Sequence, residues 1–81
     1  MKRQNVHSAI GALTTLFYVH RDQYLGIATM EVYVEMGLLN DNRLIAEILE
    51  ETQCCDLLRV IKLFDNVAGE RIEDILRGVK S

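Results

Sequence analysis

The densest helix-like pattern of apolar residues lies between Asp41 and Val67. Apolar residues recur there at spacings that stack side chains on one helical face. They are Leu44, Ile45, Ile48, Leu49, Leu57, Leu58, Ile61, Phe64, Val67 and Ala68. Charged residues fall mostly between them, so the segment has a polar side and an apolar side. The pattern predicts an amphipathic helical scaffold whose core residues include Leu57, Leu58, Ile61 and Phe64.

The middle of this segment does not favour a helix. Thr52, Gln53, Cys54 and Cys55 have indifferent helix propensity, and Asp56 could cap a new helix directly after them. The sequence leaves open whether residues 41–67 form one helix or two helices that fold back on each other.

The first half of the chain predicts two further helices. Asn5 or Ser8 could cap the first, which would run to His20, although Gly11 and the β-prone residues 14–19 weaken it. Asp22 could cap the second, which would end at Gly37. The apolar face of this second helix would contain Leu25, Ala28, Thr29, Val32 and Met36.

Residues 30–36 also show a competing pattern. Apolar and polar residues alternate there as they do in a half-buried strand. Residues 13–19 are the segment that could pair with such a strand. An α+β fold with this hairpin is therefore the alternative to an all-α fold.

The last third of the chain predicts a capped helix and a short terminal one. Asn40 or Asp41 could cap the helix that starts the scaffold, and Gly69 is expected to end the scaffold. A final helix would open at Glu70 and stop near Gly78, with Glu73 and Arg77 forming an i, i+4 pair.

Size and composition favour self-association. The 81 residues predict one domain, 1–81, and a domain of that size buries only about two-thirds of its unfolded surface. Because 49% of the residues are apolar, part of the apolar surface is expected at an interface. The sequence thus predicts an all-α bundle of four or five short helices that forms a homodimer.

The charge of the chain argues against nucleic-acid binding. A net charge of −3 does not suit a protein that binds by neutralising phosphates. The basic residues Lys2, Arg3, Arg77 and Lys80 would form a DNA-binding patch only if a dimer gathered them. DNA binding is kept as the alternative function.

Two further features indicate the location of the protein. Apolar runs are too short to span a membrane, and residues 1–19 lack the plan of a signal peptide. The adjacent cysteines fit a reducing compartment. We therefore expect a cytoplasmic protein.

Few residues suggest chemistry. His20-Arg21-Asp22 could support phosphoryl transfer to histidine, with Arg21 as the nearby cation. Cys54 and Cys55 point about 100° apart on a helix, and no CxxC or HxxxH spacing completes a metal site. The sequence predicts neither enzymatic activity nor a cofactor nor a metal.

Two groups of residues are candidates for binding another protein. In the first group, flexible methionine side chains can adapt to a partner and a tyrosine supplies a hydroxyl group. This group comprises Met30, Tyr33, Val34 and Met36. The second is an acidic run that a basic partner could recognise; it comprises Glu47, Glu50 and Glu51.

A short part of the chain resembles a known family. Leu25-Gly26, Gly37 and the run from Asn40 to Ile45, which leads to Ile48-Leu49, resemble the small enterobacterial connector proteins of biofilm formation and acid resistance. About thirty residues carry the resemblance, and the spacing from Gly26 to Gly37 departs from the family pattern. It implies a small, helical, dimerising regulator. The lack of catalytic motifs and the two candidate binding groups predict a non-enzymatic regulatory or adaptor protein that acts through protein–protein interaction.

Overall fold

A computed structural model describes residues 2–52, 57–64 and 66–80, and these residues form a helical bundle of about 34 × 27 × 21 Å. The helices are α1 (Lys2–Thr14), a π-helical segment (Thr15–Val19), α2 (Gln23–Glu35), α3 (Asn42–Glu51), α4 (Leu57–Lys62) and α5 (Val67–Lys80). The predicted all-α bundle is confirmed.

The core lies around α5, which packs against α2, α3 and α4. Each of these helices contributes large apolar side chains that are almost completely buried. The fully buried ones include Leu13, Ile27, Met30, Leu39, Ile45, Leu49, Leu57, Ile61, Ile72 and Leu76. Of the predicted core residues, Leu57 and Ile61 are buried, and Leu58 and Phe64 pack against the core as partly buried residues.

The alternative hairpin of residues 13–19 and 30–36 is wrong. Residues 30–35 belong to α2, and residues 13–19 form the end of α1 and the π-helical segment. Helical packing lets α2 bury Met30 against neighbouring helices, whereas an isolated two-stranded hairpin would be marginal. The β-prone run is instead accommodated by a wider helix, in which the His20 N–H donates to the Thr15 carbonyl at 3.0 Å.

Residues 41–67 form two helices rather than one. Asp41 caps α3, accepting the Arg43 N–H at 2.9 Å, and α3 ends at Glu51. Helix α4 begins at Leu57, and both α3 and α4 pack against α5. The prediction that Asp56 caps α4 falls outside the described residues.

The prediction that Gly69 ends the scaffold is wrong. Helix α4 already ends at Lys62, and Gly69 lies in the first turn of α5. Asn66 causes this boundary, because its side-chain oxygen accepts the Gly69 N–H at 2.6 Å and its carbonyl accepts the Glu70 N–H at 3.1 Å. The helix also continues past Gly78 to Lys80.

The ends of α2 follow the sequence signals. The Asp22 side chain accepts the Leu25 N–H at 3.0 Å, and Gly37 adopts a φ of 80°, which favours glycine. The Asn40 amide donates to the Gly37 carbonyl at 2.8 Å and closes the turn into α3. These hydrogen bonds define both ends of α2, the helix that contains the candidate binding residues Met30, Tyr33 and Val34.

Removing the cap of α2 is expected to lower the free energy of unfolding. Asp22→Ala deletes the acceptor for the Leu25 N–H and should cost about 1 kcal/mol. Asp22→Asn is the matched control, since its amide oxygen can still accept this hydrogen bond. Urea unfolding of both variants checks the prediction, which is contradicted if the two lose the same stability.

Helix α2 also crosses the π-helical segment at very short range. A Cβ atom placed on Gly26 would lie 2.6 Å from Cε1 of the buried Phe17 ring. Because such a contact is closer than a methyl group tolerates, the absence of a side chain at position 26 allows the helices to pack.

Candidate interaction surface

Helix α2 is apolar on both its inner and its outer side. The inner side buries Ile27 and Met30 in the core. On the outer side the exposed fractions are 47% for Leu25, 50% for Val32 and 64% for Met36. A helix that is apolar all round is normally covered on all sides. The outer side of α2 therefore has the composition of a covered surface.

The outer residues follow a regular spacing. Leu25, Thr29, Val32 and Met36 are separated by four, three and four residues, which is the heptad spacing of a helix that pairs with another helix. We call these four residues the α2 seam. Tyr33, on one flank of the seam, is partly buried, and Glu35, on the other, is exposed.

Apolar surface continues from α2 to the end of α4. The Tyr24 and Phe64 rings lie with their centroids 4.9 Å apart. Tyr24 is about half exposed, and Leu63, next to Phe64 in the chain, is also exposed. Exposed apolar side chains thus lie on both sides of the Tyr24–Phe64 contact.

The predicted binding residues of the second helix lie in different environments. Met30 is fully buried in the core, so it is not available on the surface of the chain. Tyr33 and Val34 are partly buried against that core, and Met36 is exposed in the α2 seam. Of the face that the sequence predicted as apolar, Leu25, Val32 and Met36 are exposed, and Ala28 and Thr29 are half-buried.

The acidic candidates lie together on α3. Glu47, Glu50 and Glu51 are all exposed on the side of α3 opposite its buried residues. Glu51 lies near the Tyr18 hydroxyl, which is 3.4 Å from a Glu51 carboxylate oxygen and from the Ile48 carbonyl. This arrangement is the solvated face of an amphipathic helix.

A second polar feature, Glu31, lies on the buried side of α2. Only 4% of Glu31 is exposed, and its Oε1 accepts a hydrogen bond from the Asn66 side-chain amide at 2.7 Å. Burial raises the pKa of Glu31, the hydrogen bond from Asn66 lowers it, and the charge of Glu35 raises it again. The sequence did not reveal this residue, because a glutamate within an apolar helix suggests exposure.

The three residues of the predicted phosphoryl-transfer group, His20, Arg21 and Asp22, are exposed. His20 and Arg21 are exposed, and Arg21 adopts a φ of 54° at the turn before α2. Asp22 is engaged as the cap of α2. Cys54 and Cys55 lie outside the described residues.

Of the basic residues near the two ends of the chain, the structure describes the side chain of Arg77. Arg77 pairs with Glu73 at 2.7 Å, which confirms the predicted i, i+4 pair. The side chains of Lys2, Arg3 and Lys80 lie outside the described part of the structure.

None of the helices within residues 2–52, 57–64 and 66–80 combines the length and apolar character needed to cross a membrane. Over the same ranges, no three His, Cys, Asp or Glu side chains are grouped so that they could hold a metal ion. Comparison with known proteins gives no matching family model, no matching curated protein and no matching solved structure.

Proposed function

We propose that this chain is a small, non-enzymatic interaction protein that acts as a homodimer joined through the α2 seam. The observation that carries the proposal is the α2 seam, in which the exposed apolar residues Leu25, Val32 and Met36 stand with the half-buried Thr29 at heptad spacing. A second copy of the chain is the occupant that supplies an identical stripe.

The dimer that we propose pairs the two α2 helices antiparallel about a twofold axis. A twofold axis between Thr29 and Val32 sets Leu25 of one copy against Met36 of the other and Thr29 against Val32. It places Glu35 of one copy level with Gly26 of the other, so the two Glu35 carboxylates are not opposed.

The free energy gained by burying the α2 seam is of the same size as the cost of association. Full burial of a large apolar side chain contributes about 1.5 to 3 kcal/mol, so half-exposed residues contribute about half of that. The three large seam residues of each copy would together supply about 5 to 9 kcal/mol, against an association cost of about 4 to 15 kcal/mol. The Tyr24 and Leu63 region would have to add contacts for tighter association.

The choice of α2 over α3 rests on what each surface gains from a partner. The carboxylates of α3 are already solvated, and solvated charges gain little from association. Burying the apolar side chains of the α2 seam, in contrast, releases free energy because their surface is removed from water. A regulatory or adaptor role would use the dimer as the unit that binds a further protein.

The proposed dimer is tested by placing a charge in the seam. Val32→Glu introduces two carboxylates next to the twofold axis, and we expect the dissociation constant of the dimer to rise at least tenfold. Light scattering and sedimentation over about 1 μM to 1 mM protein would measure the change, a range that covers reversible association.

The matched control is the same substitution at a more exposed valine. Val19 is 71% exposed and lies in the π-helical segment, so Val19→Glu should leave the dimer intact. Far-UV circular dichroism and a cooperative melt would establish that both variants fold. A wild-type protein that is monomeric throughout, or a dimer unaffected by Val32→Glu, would refute the proposal.

A further inference from the structure

One carboxylate oxygen of Glu31 has no hydrogen-bond partner among the described residues. Glu31 is buried between α2 and the start of α5, and its Oε1 accepts from Asn66. Its Oε2 is fully buried and unpaired. Buried polar atoms are nearly always satisfied, so the missing partner requires an explanation.

Glu31 Oε2 lies close to Gly69, where two further oxygen atoms also lie. A Cβ atom built on Gly69 would lie 3.0 Å from Glu31 Oε2, 3.2 Å from Asn66 Oδ1 and 3.3 Å from the Phe64 carbonyl oxygen. Three oxygens therefore surround one small region at the start of α5. An ionised Glu31 would add negative charge to this group without gaining a donor.

A proton on Glu31 resolves the conflict. A neutral carboxyl group carries no charge and has one O–H donor, so it tolerates a buried site without N–H donors better than a carboxylate does. The other oxygen can keep its hydrogen bond from the Asn66 amide. The dipole of α5 favours an anion near its first turn, but it does not supply the N–H group that Oε2 lacks.

The surrounding charges also favour the neutral form. Glu35, one turn further along α2, acts on Glu31 by repulsion. On the packed helices, Arg59 and Lys62 of α4 and Glu70 of α5 are exposed and therefore solvated. No basic side chain in the described part of the chain forms an ion pair with Glu31.

We propose that Glu31 is a proton-binding switch that controls how firmly the start of α5 is held against α2. With its proton bound, Glu31 orients Asn66, and Asn66 in turn caps α5 through the Gly69 N–H. Loss of the proton leaves a buried, unpaired carboxylate in this contact and loosens it. The switch lies on the inner side of α2, so it does not depend on the proposed dimer.

The pH dependence follows from the direction of the shift. Burial raises the pKa of Glu31 in the folded protein above its ordinary value of 4.5. The folded state therefore binds the proton more tightly than the unfolded state. The contribution to stability is complete below 4.5 and is lost as the pH rises through the folded-state pKa.

A carbon-detected NMR titration of the Glu31 carboxyl group in the wild-type protein tests the switch directly. We expect a midpoint above 4.5, and we expect the Gly69 amide shift to follow the same midpoint, because the Asn66 side chain links the two groups. A Glu31 midpoint at or below 4.5 would overturn the proposal, and so would a Gly69 amide that does not respond.

Urea unfolding at several pH values gives an independent measurement. Glu31→Gln keeps the shape of the side chain and cannot release a proton, so its pH profile should be flatter than that of the wild type. The difference in slope is at most about tenfold in the folding equilibrium constant per pH unit, the limit for one proton. Glu47→Gln, at an exposed position of α3, is the control and should keep the wild-type slope. Identical profiles for Glu31→Gln and the wild type would refute the switch.

Discussion

Ile61→Asp is expected to unfold the protein. Ile61 lies in α4 with 1% of its surface exposed and belongs to the core that α5 closes. Removing a buried isoleucine costs about 2 to 5 kcal/mol, and an uncompensated buried carboxylate adds several more. At about 0.05 to 0.15 kcal/mol per residue, the whole chain has only about 4 to 12 kcal/mol of stability to lose. Circular dichroism should show loss of helix and of the cooperative melt.

The neighbouring residue provides the control. Lys62 is exposed, so Lys62→Asp inserts the same side chain into the same helix without entering the core, and it should cost less than about 1 kcal/mol. Leu58→Asp should fall between the two, because Leu58 is only partly buried. A folded Ile61→Asp variant with a cooperative melt would contradict the assigned core.

Phe17→Ala should have the second largest effect on stability, a loss of about 3 to 5 kcal/mol. The Phe17 ring is buried against α2 and fills the space left by Gly26, so truncation leaves a cavity between two helices. Val19→Ala, at an exposed position of the same segment, should change stability by less than about 0.5 kcal/mol. Urea unfolding measures both changes, and equal losses would contradict this packing.

The contribution of the contact between Gly26 and the Phe17 ring can be measured by combining substitutions at both positions. Gly26→Ala in the wild-type protein places a methyl group 2.6 Å from Cε1 of the Phe17 ring and should destabilise the protein by about 1 to 3 kcal/mol. In the Phe17→Ala background the same change should become stabilising, because only the higher helix propensity of alanine remains. Gly11→Ala, which meets no atom within 4 Å, should stabilise the wild type by about 0.5 to 1 kcal/mol. A Gly26→Ala effect of the same sign in both backgrounds would contradict the close contact.

Strong periodicity and clear caps made much of the fold predictable. Helix α3 has Ile45, Ile48 and Leu49 buried and its charged residues exposed, as its pattern predicts. Asp22 and Asp41 cap the helices that they were expected to cap. These features depend on residues close together in the chain, which is why the sequence was sufficient.

Other features depend on contacts between residues distant in sequence. Asn66 moves the start of α5 ahead of Gly69, and its side chain also bonds to Glu31, thirty-five residues earlier. Nothing next to Glu31 in the chain indicates this partner. The burial of Glu31 could therefore be recognised only once α2 and α5 were packed together.

The sequence alone predicted a mainly helical protein, because most of its apolar residues recur at helical spacing. It also marked Leu25, Ala28, Thr29, Val32 and Met36 as the apolar face of α2, because helical spacing is a local property of the chain. Only the tertiary structure decided which side of α2 faces the core. Apolar residues lie on both sides of this helix, so its spacing alone could not select the buried side, and packing against α4 and α5 placed Met30 inside and the α2 seam outside.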